Sequence, residues 1–253
     1  MTHLTGRHAL VTGGGTGIGL AIARSLAETG AKVTVTGRRA EVLEEATRDD
    51  PNLFPQVMDV TDEASVHDAV AAAREAHGPI TIVVANAGIA EGRKVSKTPL
   101  ELWRRVMATN LDGVFLTIRE CLDDMEAADW GRVIAISSIA GVRGLKGAGA
   151  YSASKHGVIG LIRSLSEDYL GKGLTFNAIC PAYVDTDIVT RNVDAISERI
   201  GGDRESAMAM MRDVNRHKRL LQPSEIAACA MWLCAPGSES VNGQTIEIAG
   251  GQM

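Results

Sequence analysis

Five consecutive residues, Tyr151-Ser152-Ala153-Ser154-Lys155, hold the pairing with the most chemical use in this chain. On a helix, side chains four positions apart project from one face, about one turn or 6 Å along the axis, so an ammonium can sit beneath a phenol. A phenol titrates near ~10 and a neighbouring cation stabilises phenolate, so the spacing predicts a Tyr151 shifted down toward neutral pH. Such a tyrosine serves as general acid toward a carbonyl or as general base toward an alcohol. Taken alone, Tyr-x-x-x-Lys also arises by chance on helices. The elements that must position it carry the argument further.

At the N-terminal end, His8–Thr12 is an apolar run of strand length, followed at once by Gly13-Gly-Gly-Thr-Gly17-Ile-Gly19 and an amphipathic stretch, Leu20–Glu28, that stops at Gly30. Strand, glycine turn and helix N-terminus form a phosphate cradle, in which backbone N–H groups and the helix dipole face an anion and the glycines admit it closely. A plain flexible turn uses glycine too. The placement between strand and helix favours a nucleotide.

Strand-like segments then recur at Lys32–Thr36, at Leu53–Met58 with Asp59-Val60 after it, and at Ile80–Ala85, Arg132–Ile136, Thr175–Cys180 and Gln244–Ile248. Helical segments alternate with them: Glu41–Thr47, Glu63–Ala76, Pro99–Met125, a helix from Ala150, and one opening at Gln222-Pro-Ser-Glu225 with Ser224 as N-cap and running to Cys234. Regular alternation without linker or low-complexity sequence predicts an α/β fold. The expected form is a doubly wound parallel sheet, Rossmann-like, in a single three-layer αβα domain spanning residues 1–253.

Asn86-Ala87-Gly88 ends the fourth strand at its carboxyl edge, where open α/β sheets bind ligands. Asn110 sits inside a helical stretch, where asparagine competes with the backbone, so either a surface position or a separate task explains it. Ser137-Ser138 arrive at the end of the fifth strand. After the second strand, where an acid would accept both ribose hydroxyls of NAD, the chain has Thr36-Gly37 and then Arg38-Arg39. A guanidinium there can fork onto a 2′-phosphate, which favours NADP; solvated charge, or stacking on adenine with NAD as cofactor, are the alternatives.

Composition removes several other functions. The chain has 253 residues, 45% hydrophobic, with net charge −5 and no basic block to neutralise phosphates, so no nucleic-acid partner is expected. No run of 18 apolar residues appears, so no membrane partner is expected and a cytoplasmic location is. Cys121, Cys180, Cys229 and Cys234 lie in apolar contexts and read as buried thiols; with six scattered histidines, no metal site is expected.

With these motifs in view, the chain resembles the short-chain dehydrogenase/reductase family of single-domain type. The likeness rests on Thr12-Gly-Gly-Gly-Thr-Gly-Ile-Gly19, Asp59, Asn86-Ala-Gly88, Trp103 to Asn110, Ser138, Tyr151-x-x-x-Lys155, Pro181 to Thr186 and Gly250-Gly251, in order along nearly the whole chain. It implies a catalytic tetrad of Asn110, Ser138, Tyr151 and Lys155. Tyr151 would move the proton, Ser138 would bind the reacting oxygen, Lys155 would tune the phenol and hold the nicotinamide ribose, and Asn110 would hold a water between Lys155 and solvent. Cofactor contacts would come from Gly13, Thr16, Gly17, Ile18, Gly19, Arg38, Arg39, Asp59, Val60, Asn86, Ala87, Gly88, Tyr151, Lys155, Pro181, Val184 and Thr186.

Two departures stand out: Ala85 replaces an asparagine that braces the central strand in the family, and Ala182 replaces a glycine beside the nicotinamide. The implied reaction is reversible hydride transfer between a nicotinamide cofactor and a secondary alcohol or ketone, with a small-molecule substrate. The C-terminal half, at Arg219–Glu225 and Trp232–Gly237, resembles reductases of 3-oxoacyl thioesters and polyketides. A small cyclic or aryl alcohol is the alternative substrate, and a nucleotide-binding redox sensor, which would lack part of the tetrad, the non-enzymatic one. The resemblance places a substrate-covering insertion at about 187–219, rich in charge and methionine. A homotetramer is expected, since the helix from Ala150 carries apolar Val158, Ile162 and Leu165 at positions that read as solvent-side.

Overall fold

A computed structural model describes residues 3–186, 193 and 203–251. Seven strands, β1 (His8–Thr12), β2 (Lys32–Gly37), β3 (Leu53–Val57), β4 (Ile82–Ala85), β5 (Gly131–Ile136), β6 (Leu174–Pro181) and β7 (Thr245–Ile248), form one parallel sheet in the order β3-β2-β1-β4-β5-β6-β7. The described α-helices are α1 (Gly17–Glu28), α2 (Ala40–Thr47), α3 (Glu63–His77), α4 (Leu100–Met107), α5 (Gly113–Ala127), α6 (Gly149–Asp168), α7 (Arg204–Val214) and α8 (Pro223–Cys234).

The strands read as unbroken apolar runs because both of their faces are covered. Ala9, Val11, Val84, Ile134 and Ile179 point into one core with α1 and α8, while Leu10, Val83, Val133 and Ala178 point into the other with α3, α5 and α6. Strand order reverses between β1 and β4, which are neighbours although two strands separate them in sequence. That switch point opens a crevice at the carboxyl ends of the strands, and both the glycine turn and Asn86-Ala87-Gly88 lie on it.

Three expectations change. The stretch Pro99–Met125 is not one helix, since α4 and α5 are joined by a π turn, Ala108–Asp112, that adds a residue to the helical turn and carries Asn110 inward to zero exposure. At α8 the N-cap is Gln222, with Pro223 in the first turn and the Glu225 carboxylate accepting from Gln222 N at 2.7 Å; Ser224 is already helical. On α6, Val158 and Ile162 are fully buried and not solvent-facing. They continue at helical spacing the stripe that begins with Tyr151 and Lys155, so the face that presents the chemistry at one end is the face that packs on the sheet. In the segment 187–219, residues 187–192 and 194–202, with Arg191 and Arg199, lie outside the described residues.

One polar clamp holds the second layer to the sheet. Asp124 on α5 accepts from Arg74 Nε at 2.9 and 2.8 Å and from Ile80 N at 2.9 Å, just before β4, while Arg74 Nη2 donates to Glu120 O at 3.0 Å. Asp124→Ala leaves a half-buried guanidinium and a backbone N–H without their acceptor. Its unfolding free energy in a guanidinium titration should fall by about 2–3 kcal/mol at unchanged m-value. A loss below about 0.5 kcal/mol would mean that solvent screens the clamp.

Candidate active site

The crevice is built first by what glycine leaves out. Gly13 has φ +61°, and a Cβ there would lie 3.0 Å from Ala87 Cα; a Cβ on Gly19 would lie 2.5 Å from Gly13 O. Side chains at these positions would force the turn away from Asn86 and break its closure on the helix. Thr16 is the N-cap of α1 in extended backbone, yet its side chain takes no cap bond, and the first helical bond is Leu20 N to Thr16 O at 3.2 Å. The N–H groups of Gly17, Ile18 and Gly19 therefore remain for an anion, and no acid stands in the first turn to repel it. A dinucleotide pyrophosphate fits this donor set.

Asn86 closes the other side. Its Nδ2 donates to Thr12 O at 2.9 Å and to Gly13 O at 3.1 Å, and the N–H groups of Asn86 and Ala87 both donate to Thr12 Oγ1 at 3.0 Å. Ala85, 1% exposed, packs into the α3/α5/α6 core, so the brace between β1 and β4 falls to Asn86. Thr186 stands across from Gly17, within 3.2 Å of where its Cβ would be.

The reactive side chains meet at the ends of β5 and α6. Lys155 Nζ donates to Ile136 O at 2.7 Å and lies 5.9 Å from the Tyr151 ring centroid; Ser137 Oγ donates to Lys155 O at 3.1 Å. Ser138 caps a short 3-10 turn, accepting from Ala140 N at 3.1 Å, and shares a hydrogen bond with the Tyr151 hydroxyl. Burial lowers the Lys155 ammonium to about 8. Burial also raises the Tyr151 phenol above its ordinary value, and the Ser138 bond offsets this only in part.

The lowered Tyr151 read from the spacing is thus reversed in this geometry. The ammonium faces the Ile136 carbonyl below the ring, and the dry surroundings penalise phenolate more than the neighbours stabilise it.

Asn110 works through its side chain on a neighbouring loop. Oδ1 accepts from Ile89 N at 2.8 Å, and Nδ2 donates to Ile89 O at 2.9 Å and to Ser154 Oγ at 3.1 Å. Both amide hydrogens are spent, so they are not the donors of a water relay. A Cβ on Gly88 would lie 3.4 Å from Asn110 Oδ1 and 3.6 Å from Lys155 Nζ, which places both groups on one stretch of backbone.

A cavity of about 810 Å³ runs over these residues, and Ile18, Asn86, Gly88, Ser138, Tyr151, Lys155, Pro181, Val184 and Thr186 all line it. Ala182 sits on its wall, its N–H tied to Ile248 O at 3.0 Å. Arg38, Arg39, Asp59 and Val60 do not line this cavity; they lie after β2 and β3, on the far side of the crevice from Tyr151. Burial alone would raise the Asp59 carboxyl, but bonds from Thr61 N and Oγ1 and the charge of Arg38 hold it below its ordinary value. At the substrate end of the cavity stand Ile89, Arg93, Lys94, Leu145, Lys146, Tyr183 and Met211, of which only Met211 lies in the substrate-covering insertion expected from the sequence. All but Met211, which is on α7, come from loops without periodicity, two of them joined by a bridge between Arg93 and Ala148 that no local pattern announces.

Comparison with known proteins agrees with this arrangement. A family model described as short chain dehydrogenase matches residues 7–197. The granaticin polyketide synthase putative ketoacyl reductase 1 of Streptomyces violaceoruber is 36% identical, over 96% of this chain and 92% of its own. Among solved structures, a single-residue variant of actinorhodin polyketide ketoreductase with NADPH superposes with TM-score 0.93 at 33% identity, covering 97% of each chain. Levodione reductase superposes with TM-score 0.91 at 33% identity, covering 98% of each. With a glycine cradle, an Asn-Ala-Gly edge and a Ser-Tyr-Lys constellation on one parallel sheet, the chain belongs to the short chain dehydrogenase family.

Proposed function

We propose that the protein is an NADPH-dependent reductase of 3-oxoacyl thioesters, working in the cytoplasm as a single catalytic domain over residues 1–253. The observation that carries this reading is the joining, in one cavity, of Tyr151, Ser138 and Lys155 with an exposed basic rim. Arg93, Lys94 and Lys146 stand on that rim and pair with no acid among the described residues, whereas the neighbouring Glu91 is taken by a two-pronged bond from Arg105 at 2.6 and 2.8 Å. Such a rim suits the anionic carrier of an acyl thioester. The chain about 187–219 would cover the bound substrate. The name of the granaticin relative points the same way.

In this reading Gly17, Ile18 and Gly19 hold the pyrophosphate, Asn86 to Gly88, Pro181, Val184 and Thr186 enclose the nicotinamide half, and Asp59 and Val60 stand beside the adenine half. When bound, NADPH supplies the hydride for the carbonyl carbon. Ser138 and Tyr151 hydrogen-bond the carbonyl oxygen, and Tyr151 gives it the proton as charge develops there. The Tyr151 phenol, held above its ordinary value by burial, carries at neutral pH the proton that reduction consumes. The Lys155 ammonium stabilises the phenolate left behind, and Asn110 fixes the Ile89 loop against both.

A ketone panel of acetoacetyl-CoA, cyclic ketones and aryl ketones, followed by absorbance of the reduced cofactor, tests the assignment. Acetoacetyl-CoA should give the highest kcat/KM, and Tyr151→Phe should lower kcat at least about 100-fold with NADPH binding nearly intact. The likeness to levodione reductase supports a second reading, a small cyclic ketone as substrate, and a panel headed by cyclic ketones would replace the first with it. In the same assay, Lys155 carries its charge below about 8 and is neutral above it. Reduction should therefore be flat at lower pH and fall through that value; a rate that rises there would overturn the roles given to Tyr151 and Lys155.

Selection of NADPH rests on Arg38, exposed directly after β2, where no acid stands to accept ribose hydroxyls or repel a phosphate. Arg38→Ala should raise KM for NADPH by about one to two decades, the worth of a charge-assisted contact, and leave NADH unchanged. Equal weakening of both cofactors would rule out phosphate recognition by this arginine.

We also propose a homotetramer. Its support is no longer the outer face of α6 but the large apolar side chains left in solvent on α5 and α8, Phe115 at 43% and Trp232 at 50% exposure. A monomeric mass by light scattering at micromolar concentration would refute it.

A further inference from the structure

Tyr183 occupies two structures at once. It lines the substrate end of the cavity, and it packs on the small apolar cluster of Val193, Ala207 and Met211 under α7, apart from both main cores. Its backbone is held from an unexpected place. Asn215, the residue that ends α7, is fully buried, and its Nδ2 donates to Tyr183 O at 3.0 Å and to Arg219 O at 2.7 Å, while its Oδ1 accepts from Tyr183 N at 3.4 Å. Leu221 N donates to the same Tyr183 carbonyl at 2.9 Å, and Asp185 N returns a bond to Leu221 O at 2.8 Å.

A buried amide survives only where its donors and acceptor are met, and here all of them are met by one short stretch of chain on either side. Both peptide groups of Tyr183 are thereby fixed relative to the end of α7. Met211, on the last turn of that helix, lines the cavity as well, so helix and wall meet the substrate as one body.

We infer that Asn215 is a positioning residue for the substrate: it locks Tyr183 as the wall of the ketone pocket and ties that wall to the helix covering it. The inference rests on the reductase reading for its kinetic consequence and on the hydrogen bonds alone for the coupling. Asn215 touches neither Tyr151 nor the glycine cradle and bonds Tyr183 directly, so its removal acts first on substrate capture and reaches the cofactor only at second hand, through Val184 and Thr186 on the same stretch.

A double-mutant cycle tests this, with acetoacetyl-CoA or the best ketone of the panel as probe. Asn215→Ala should lower kcat/KM for the ketone about tenfold or more, mainly through KM, with a clearly smaller rise in KM for NADPH. In a Tyr183→Ala background the same substitution should change little, because the side chain it positions is gone. Full multiplication of the two losses, or an equal rise in KM for NADPH, would overturn the inference and leave Asn215 a general support of the fold. If Asn215→Ala does not fold, Asn215→Asp serves in the same cycle, since it keeps the shape and the acceptor and loses both donor bonds.

Hydrogen exchange reads the coupling without turnover. Amides of Asp185 and Leu221 should exchange faster in the variant while those of β1 do not, and unchanged exchange at Asp185 and Leu221 would overturn the coupling even if the parent reduces no ketone at all. A parent inactive on the whole panel counts against the proposed function, not against this contact.

Discussion

Lys155 carries an ammonium into a place where only 4% of the residue reaches solvent, and the acceptor found for it among the described residues is the Ile136 carbonyl at 2.7 Å. Burying a cation in this way is costly unless fixed dipoles replace water, and the neighbourhood is arranged to supply them. The strand end gives the carbonyl, Ser137 Oγ holds the helix backbone at Lys155 O, and the Gly88 backbone lies beside both the ammonium and Asn110. Burial holds the ammonium at about 8 even so. A group poised there is charged at neutral pH yet strained enough to favour any partner that delivers negative charge, which the phenolate formed on proton transfer does.

The same constraint orders the sheet. Ile136 must end β5 beside the switch point between β1 and β4, and α6 must pack close enough to bring Tyr151 and Lys155 onto that edge. Gly157 allows the close approach of α6 to the turn before α5 in the same layer, because a Cβ there would lie 2.8 Å from Leu111. Leu111 belongs to the π turn that also turns Asn110 inward. Backbone irregularity and helix packing are therefore one feature: without the extra residue in the turn, either Asn110 would miss Ile89 or α5 would lose its register on the sheet.

Much of this is legible in the sequence because it is local. The glycine turn, the Asn-Ala-Gly edge, Ser138 and the Tyr151/Lys155 pair each lie at a strand end or on one helix face, so type and spacing along the chain fix their placement. Sequence reading fails where distance along the chain decides. Val158 and Ile162 read as solvent-facing unless the sheet-facing stripe of α6 is known, and Tyr151 reads as acidic unless the depth of the site and the direction of Lys155 are known. Asn110 stands out as a misfit in a helix, but its partner Ile89, 21 residues away, does not. Ser224 resembles a cap because a proline in the first helical turn moves the cap further back than serine implies.

The substrate end is illegible for a related reason. The cofactor half of the crevice uses backbone groups and absent side chains, which strand-turn-helix spacing announces. The substrate half uses side chains from three loops and from α7, brought together by long-range contacts such as Arg93 with Ala148 and Asn215 with Tyr183. Loop residues carry no period, so nothing short of the fold relates them. The division has a functional side. Hydride and proton chemistry depend on the rigid half and tolerate little change, while a wall built from loops changes shape at small cost to the sheet. A single buried amide such as Asn215 is then the kind of contact through which a loop wall gains a definite shape, since two hydrogen bonds to one residue's peptide groups restore at one point the rigidity that the loops lack.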